Sequence, residues 1–83
     1  MKHELKCWPE PYQAILSGEK RFELRKNDRG FEAGDVLYLR EWNPDTGYTG
    51  RSCEVVVIWE LTKFEGLEPG YCVMSVSLPV IIR

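Results

Sequence analysis

The chain has 83 residues, 43% of them hydrophobic and 29% charged, with a formal net charge of −2. This is the composition of one small globular domain, not of a disordered chain, and its mild acidity excludes a general charge-driven coat for nucleic acid while leaving room for a focused basic patch. Cys7, Cys53 and Cys72 form an odd set without a C-x-x-C spacing, so neither a disulfide framework nor a metal site is expected, and no cofactor is implied.

Each cysteine lies in or beside an apolar run, which suits reduced, buried thiols in a cytoplasmic protein. Met1-Lys2-His3-Glu4 is followed by no apolar signal core, and no run approaches the ~20 residues of a membrane helix, so no membrane association is expected.

His3 to Cys7 alternates as a short first strand, with His3, Leu5 and Cys7 on one face. His3, the only histidine, rules out a multi-histidine site and reads as an N-terminal surface group or as a hydrogen-bonding residue of the cleft. Pro9-Glu10-Pro11 suits a helix start, because proline and an acidic group both fit the first turn. Tyr12, Ile15 and Leu16 then fall on one helical face, and Gly18 fits a left-handed cap.

Between Lys20 and Arg29 stand five basic residues (Lys20, Arg21, Arg25, Lys26, Arg29) and two acidic ones, a local excess of three positive charges. Arg21 to Lys26 alternates as a strand, with Phe22 and Leu24 assigned to the core and Glu23 and Arg25 to the opposite face. Asn27-Asp28-Arg29-Gly30 and Gly34-Asp35 are turns. Val36 to Trp42 carries apolar residues on both faces and reads as a central strand.

Asn43 to Gly50 is a loop by local rules. Arg51 to Leu61 is the longest strand, with Val55, Val57, Trp59 and Leu61 on one face and Trp59 in the core. A second loop from Thr62 to Pro69 is held by Phe64 and Leu67, and Gly70 to Leu78 is a further strand. Leu78 to Arg83 supplies an edge strand or an apolar tail that packs on a partner, a second copy in a homodimer included. The expected fold is α+β and mainly β, a single domain over residues 1–83 in which five or six short strands curve into a small barrel beside one N-terminal helix.

The combination Gly18-x-Lys20-x-x-Glu23-x-Arg25, followed by Gly34-Asp35 before an apolar strand, resembles the ASCH domains, a branch of the PUA-like superfamily. His3-Glu4-Leu5-Lys6, Trp8-Pro9, Arg25-Lys26-Asn27-Asp28-Arg29 and Tyr48-Thr49-Gly50-Arg51 extend the resemblance toward a small ASCH-related family of uncharacterised proteins. It implies a mixed pseudobarrel with a helix capping one opening and a ligand cleft between that helix and the Lys-x-x-Glu-x-Arg strand. It further implies RNA or nucleotide binding, the activity proposed for ASCH domains.

Some small bacterial proteins resembling this chain are amidohydrolases that deacylate N4-acylated cytidine with a threonine nucleophile, a lysine and a distal glutamate. Lys20 matches that lysine, but Glu23 stands where the threonine would be, and a carboxylate cannot follow the same acyl-enzyme route without forming an anhydride. Hydrolysis with Lys20 and Glu23 as acid/base partners is therefore the alternative, and recognition is the primary expectation.

In that reading Arg25 offers planar donors to a phosphate or base edge, Glu23 accepts from an amino group and Lys20 adds a mobile charge. Trp8, Trp42 and Tyr48 are the stacking candidates, while Lys6, Asn27 and Arg29 complete the rim.

Overall fold

The computed structural model describes residues 1–83, and its longest strand, Gly47–Leu61, belongs to two half-sheets at once. At about 3.3 Å per residue a straight strand of 15 residues would run about 45–50 Å. The greatest extent of the molecule is 35 Å, so this strand must coil. In chain order the elements are β1 (Lys2–Cys7), α1 (Pro9–Ser17), β2 (Phe22–Lys26), β3 (Val36–Asn43), β4 (Gly47–Leu61), β5 (Tyr71–Val76) and β6 (Val80–Ile81).

The strand order is β1-β3-β4-β5-β2, with β6 pairing on β4. β1 runs parallel to β3, and every other pairing is antiparallel. The first part of β4 pairs with β3 and β6, and its last residues pair with β5. The result is a small α+β domain, mainly β, whose six-stranded mixed sheet curls into a pseudobarrel. β3 is central, as its two apolar faces require, and the C-terminal Val80–Ile81 segment is a strand at the edge.

The sheet does not close into a barrel, because β1 and β2 share no strand ladder. Two arginines span the seam instead. Arg25 Nη2 donates to the Lys6 carbonyl at 2.9 Å, and Arg29 Nη1 donates to the Glu4 carbonyl at 2.9 Å. These carbonyls lie two residues apart on β1, the repeat with which a strand presents its edge groups to one side. Charged donors thus satisfy edge groups that a neighbouring strand would otherwise take.

Inside lie Leu5, Cys7, Tyr12, Ile15, Phe31, Leu37, Leu39, Cys53, Val55, Val57, Cys72, Met74 and Val76. All three cysteines are free and buried. α1 has proline in its first turn and ends on Gly18 at φ 80°, whose N–H donates to the Ile15 carbonyl at 3.1 Å. It buries Tyr12 and Ile15 and packs against β3.

Several assignments from the sequence are corrected. Phe22 and Leu24 point outward while Glu23 points in, because Lys20 and Arg25 neutralise the inward carboxylate. Trp59 is 63% exposed: β4 inserts Ile58 as an extra residue between the pairs Val57–Val76 and Trp59–Ser75, and such a bulge reverses the facing of the residues beyond it. Phe64 is exposed and does not hold its loop. The loop after β3 is also shorter than Asn43–Gly50, since Gly47 already pairs with Asn43.

His3 is buried rather than a surface group. Its Nε2 lies 2.9 Å from Asp35 Oδ2, and its ring meets Phe31 edge-on at 4.7 Å. Asp35 also accepts from the Met1 ammonium and the Glu32 N–H, each at 3.0 Å. The bond to His3 leads these contacts in lowering the Asp35 carboxyl from its ordinary 3.8 to about 2. A depressed folded-state pKa contributes stability that is complete above the unfolded value and lost as pH falls through the folded one. Urea midpoints of the wild type should therefore fall between about pH 4 and about pH 2, whereas Asp35→Asn should start lower at neutral pH and stay flatter across that window. Parallel curves for the two proteins would refute this linkage.

Candidate functional site

The seam between β1 and β2 widens beneath the first turn of α1 into a cleft of about 360 Å³. Lys6, Cys7, Trp8 and Pro11 form one wall, and Glu23, Leu24 and Arg25 form the other. Alternation on β2 turns Glu23 and Arg25 toward this space, and the β1–α1 junction brings Trp8 over it. Trp8 caps the helix through its backbone, its carbonyl accepting from Tyr12 N–H at 2.9 Å, and its side chain remains 57% exposed.

Glu23 is 3% exposed and lies between two cations. Lys20 Nζ bonds its Oε1, and Arg25 Nε donates to its Oε2 at 2.9 Å. Lys20 also donates to the Phe22 carbonyl at 2.8 Å. Arg25 therefore commits Nε to Glu23 and Nη2 to Lys6, which leaves Nη1 for a ligand. A carboxylate has about four lone-pair sites, so Glu23 retains acceptor capacity.

The site residues inferred from sequence divide into groups. Lys6, Trp8, Glu23 and Arg25 line the cleft, and Lys20 stands behind Glu23. Trp42 joins them at the mouth: its ring centroid lies 6.4 Å from that of Trp8, and Lys6 Nζ sits 4.6 Å from it. Arg29 and Tyr48 border a neighbouring hollow of about 500 Å³ with Glu4, Leu5, Lys6 and Arg25. Asn27 serves its turn, its Oδ1 accepting from Phe31 N–H at 3.0 Å. The basic stretch is thus largely engaged within the fold, since Arg21 too donates to a backbone carbonyl, that of Gly18, at 3.3 Å.

A second polar group lies close by and was not anticipated. Between the pairs Arg40–Ser52 and Trp42–Tyr48, the three residues Thr49, Gly50 and Arg51 stand opposite the single Glu41. Gly50 adopts φ 96° within this bulge, a conformation that favours glycine. Buried Glu41 accepts from Thr49 Oγ1 at 2.7 Å and lies 3.7 Å from Arg51 Nη1. Arg51 also donates to Gln13 Oε1 at 3.3 Å. The sequence signal was Tyr48-Thr49-Gly50-Arg51, whose glycine marks the bulge.

Burial, and then the Glu23 charge, push the Cys7 thiol up to about 11. Desolvation also raises Cys53, and it raises Tyr12, whose buried hydroxyl faces the Cys53 thiol. Cys7 is the one thiol lining the cleft, and at neutral pH only about one part in 10⁴ of it would be thiolate, too little for an activated nucleophile. The arrangement can grip a planar polar group between carboxylate, guanidinium and indole. The residues lining the cleft include no hydroxyl, and their one thiol is held protonated.

The fold is a small pseudobarrel domain with a polar cleft at its open seam. The chain belongs to the family described as "Domain of unknown function (DUF3850)", which matches residues 2–76. It is also 44% identical over 52 residues to a protein of Escherichia phage P2 named "Uncharacterized 12.9 kDa protein in GpA 3'region". That match takes in 63% of this chain and 47% of the phage protein, so the chain spans about half the length of this relative.

The geometry makes two outcomes testable. Arg25→Ala should cost about 2–3 kcal/mol in urea unfolding, below the roughly 3–5 kcal/mol of a fully buried pair because the guanidinium is 26% exposed. Lys26→Ala, which touches neither Glu23 nor the seam, should stay within about 0.5 kcal/mol, and equal effects would contradict the bridging role of Arg25. In iodoacetamide labelling near neutral pH, the native protein should leave all three cysteines unmodified, whereas denaturant should expose each of them. Prompt labelling of Cys7 in the native state would overturn its assignment as an inert thiol.

Proposed function

We propose that the protein is a recognition module for single-stranded RNA or a nucleotide, with the base edge read in the cleft beneath α1. One observation carries this reading: a buried carboxylate and a guanidinium with an uncommitted donor share a cleft with an exposed indole. Glu23 suits an exocyclic amino group of the cytosine type, Arg25 Nη1 suits an adjacent acceptor, and Trp8 suits the base face. The resemblance of Gly18-x-Lys20-x-x-Glu23-x-Arg25 to ASCH and PUA-like domains agrees with such a ligand. The deacylase alternative lacks support at the nucleophile, since Glu23 occupies that position and the Cys7 thiol is held protonated.

Most cations of the basic stretch are engaged internally, so few remain to displace counterions. Lys6 and Lys26 form no ion pair. Two or three phosphate contacts would give a slope of log affinity against log salt of about −1.4 to −2.1 for a single strand. Titration of short single-stranded RNAs at several salt concentrations should show that shallow slope, and Trp8→Ala should lose about 1–3 kcal/mol of binding without destabilising the fold. Absence of binding at low salt, or full binding by Trp8→Ala, would sink the reading.

A further inference from the structure

The outer face of β3 and β4 carries a second polar hollow, of about 70 Å³, beyond the cleft. Arg40, Arg51 and Arg83 line it together with Glu41, Tyr48 and Ser52. One water needs about 10–15 Å³ by this measure, so a group of several atoms fits. The charged lining comprises three guanidiniums and one carboxylate. Arg40 Nη1 also bonds Glu4 at 3.1 Å and Arg51 bonds Gln13 at 3.3 Å, so the hollow keeps a cationic balance of one charge, which favours an anion. Ser52 is 3% exposed, and its hydroxyl has no hydrogen-bond partner. A buried hydroxyl left unpaired is costly, and here the residue that carries it lines a cationic hollow.

The position of the hollow relates it to the cleft. Arg40 pairs across the sheet with Ser52 on one side and with Lys6 on the other, so Ser52 lies two strand spacings, about 10 Å, from Lys6 at the cleft wall. The ground between is polar and aromatic. Arg40 stacks on the Tyr48 ring at 3.7 Å, and Tyr48 shares the intermediate hollow with Lys6, Arg25 and Arg29.

We infer that the hollow formed by Arg40, Arg51, Arg83 and Ser52 is a phosphate subsite, and that it holds a phosphate of the same nucleotide chain whose base enters the cleft. This deepens the proposed function and rests on it for the identity of the ligand, though the anion site stands on its own residues. Arg40 and Arg51 supply charge-assisted donors, and the Ser52 hydroxyl donates to a phosphate oxygen. The ligand class becomes an oligonucleotide rather than a free nucleoside.

The test uses inorganic phosphate as probe, with chloride at matched ionic strength as reference, read by thermal midpoint and by NMR of the arginine side-chain N–H groups. Phosphate should raise the wild-type midpoint through linkage and shift the Arg40 and Arg51 signals. Ser52→Ala should keep or raise the midpoint without phosphate, because it removes an unpaired buried hydroxyl, and should weaken phosphate binding about three- to tenfold. Arg40→Gln should weaken it about tenfold or more. Equal phosphate responses in all three proteins would show only a general salt effect and overturn the site, as would signals that move at Lys20 and Arg25 instead. With short RNA, both variants should lose affinity in parallel. Phosphate binding that responds to these substitutions while RNA binding does not would overturn the shared ligand. Phosphate binding without any RNA binding would defeat the cleft reading and leave the anion site standing.

Discussion

The fold depends on the buried carboxylate of Glu23 between Lys20 and Arg25. A charge removed from water is tolerated only when it is paired and hydrogen-bonded, and here both carboxylate oxygens are engaged. That pairing allows β2 to turn a charged face inward and an apolar face, Phe22 and Leu24, outward. It also orients Arg25 so that its other arm reaches the Lys6 carbonyl across the seam. One guanidinium therefore neutralises the interior charge and joins the two ends of the sheet.

The seam explains why the domain has a cleft at all. A closed barrel of this size would fill its interior with side chains. Here a continuous ladder is replaced by two side-chain bridges, from Arg25 and Arg29. The gap that remains beneath α1 becomes the cleft, and the residues that hold it open also line it. Near the start of β1, the buried pair of His3 and Asp35 ties this strand to the turn before β3.

The order and kind of the elements were legible because hydrophobic periodicity, prolines and glycines act locally. Alternation in β2 gave two faces, and the residue types suggested that Phe22 and Leu24 should be inside. That inference fails because the partners of Glu23 come from the preceding turn and from β2 itself, so the carboxylate carries its own counter-charges inward. Trp59 was misplaced by the single extra residue Ile58, which no composition rule distinguishes from a regular strand position. The Glu41–Thr49–Arg51 group required the pairing of β3 with β4, and the role of Arg29 required a carbonyl 25 residues away. For these last two, the missing information was a contact between segments distant in the chain.

The excess positive charge of the Lys20–Arg29 stretch takes on a different meaning once those contacts are known. Lys20, Arg21, Arg25 and Arg29 each hydrogen-bond to groups of the chain itself, so many of their N–H donors serve as scaffold while the charges themselves remain. On the proposed reading, a site built this way would discriminate through geometry: fixed acceptors on Glu23, one remaining arm of Arg25 and the face of Trp8. Interactions of that kind lose strength sharply when a ligand presents the wrong donor, because a buried polar group is then left unpaired. Nonspecific attraction by a solvated basic patch would lack that penalty. On the proposed reading, the occupied donors limit direct phosphate contacts, and a larger share of binding would then depend on the identity of the base.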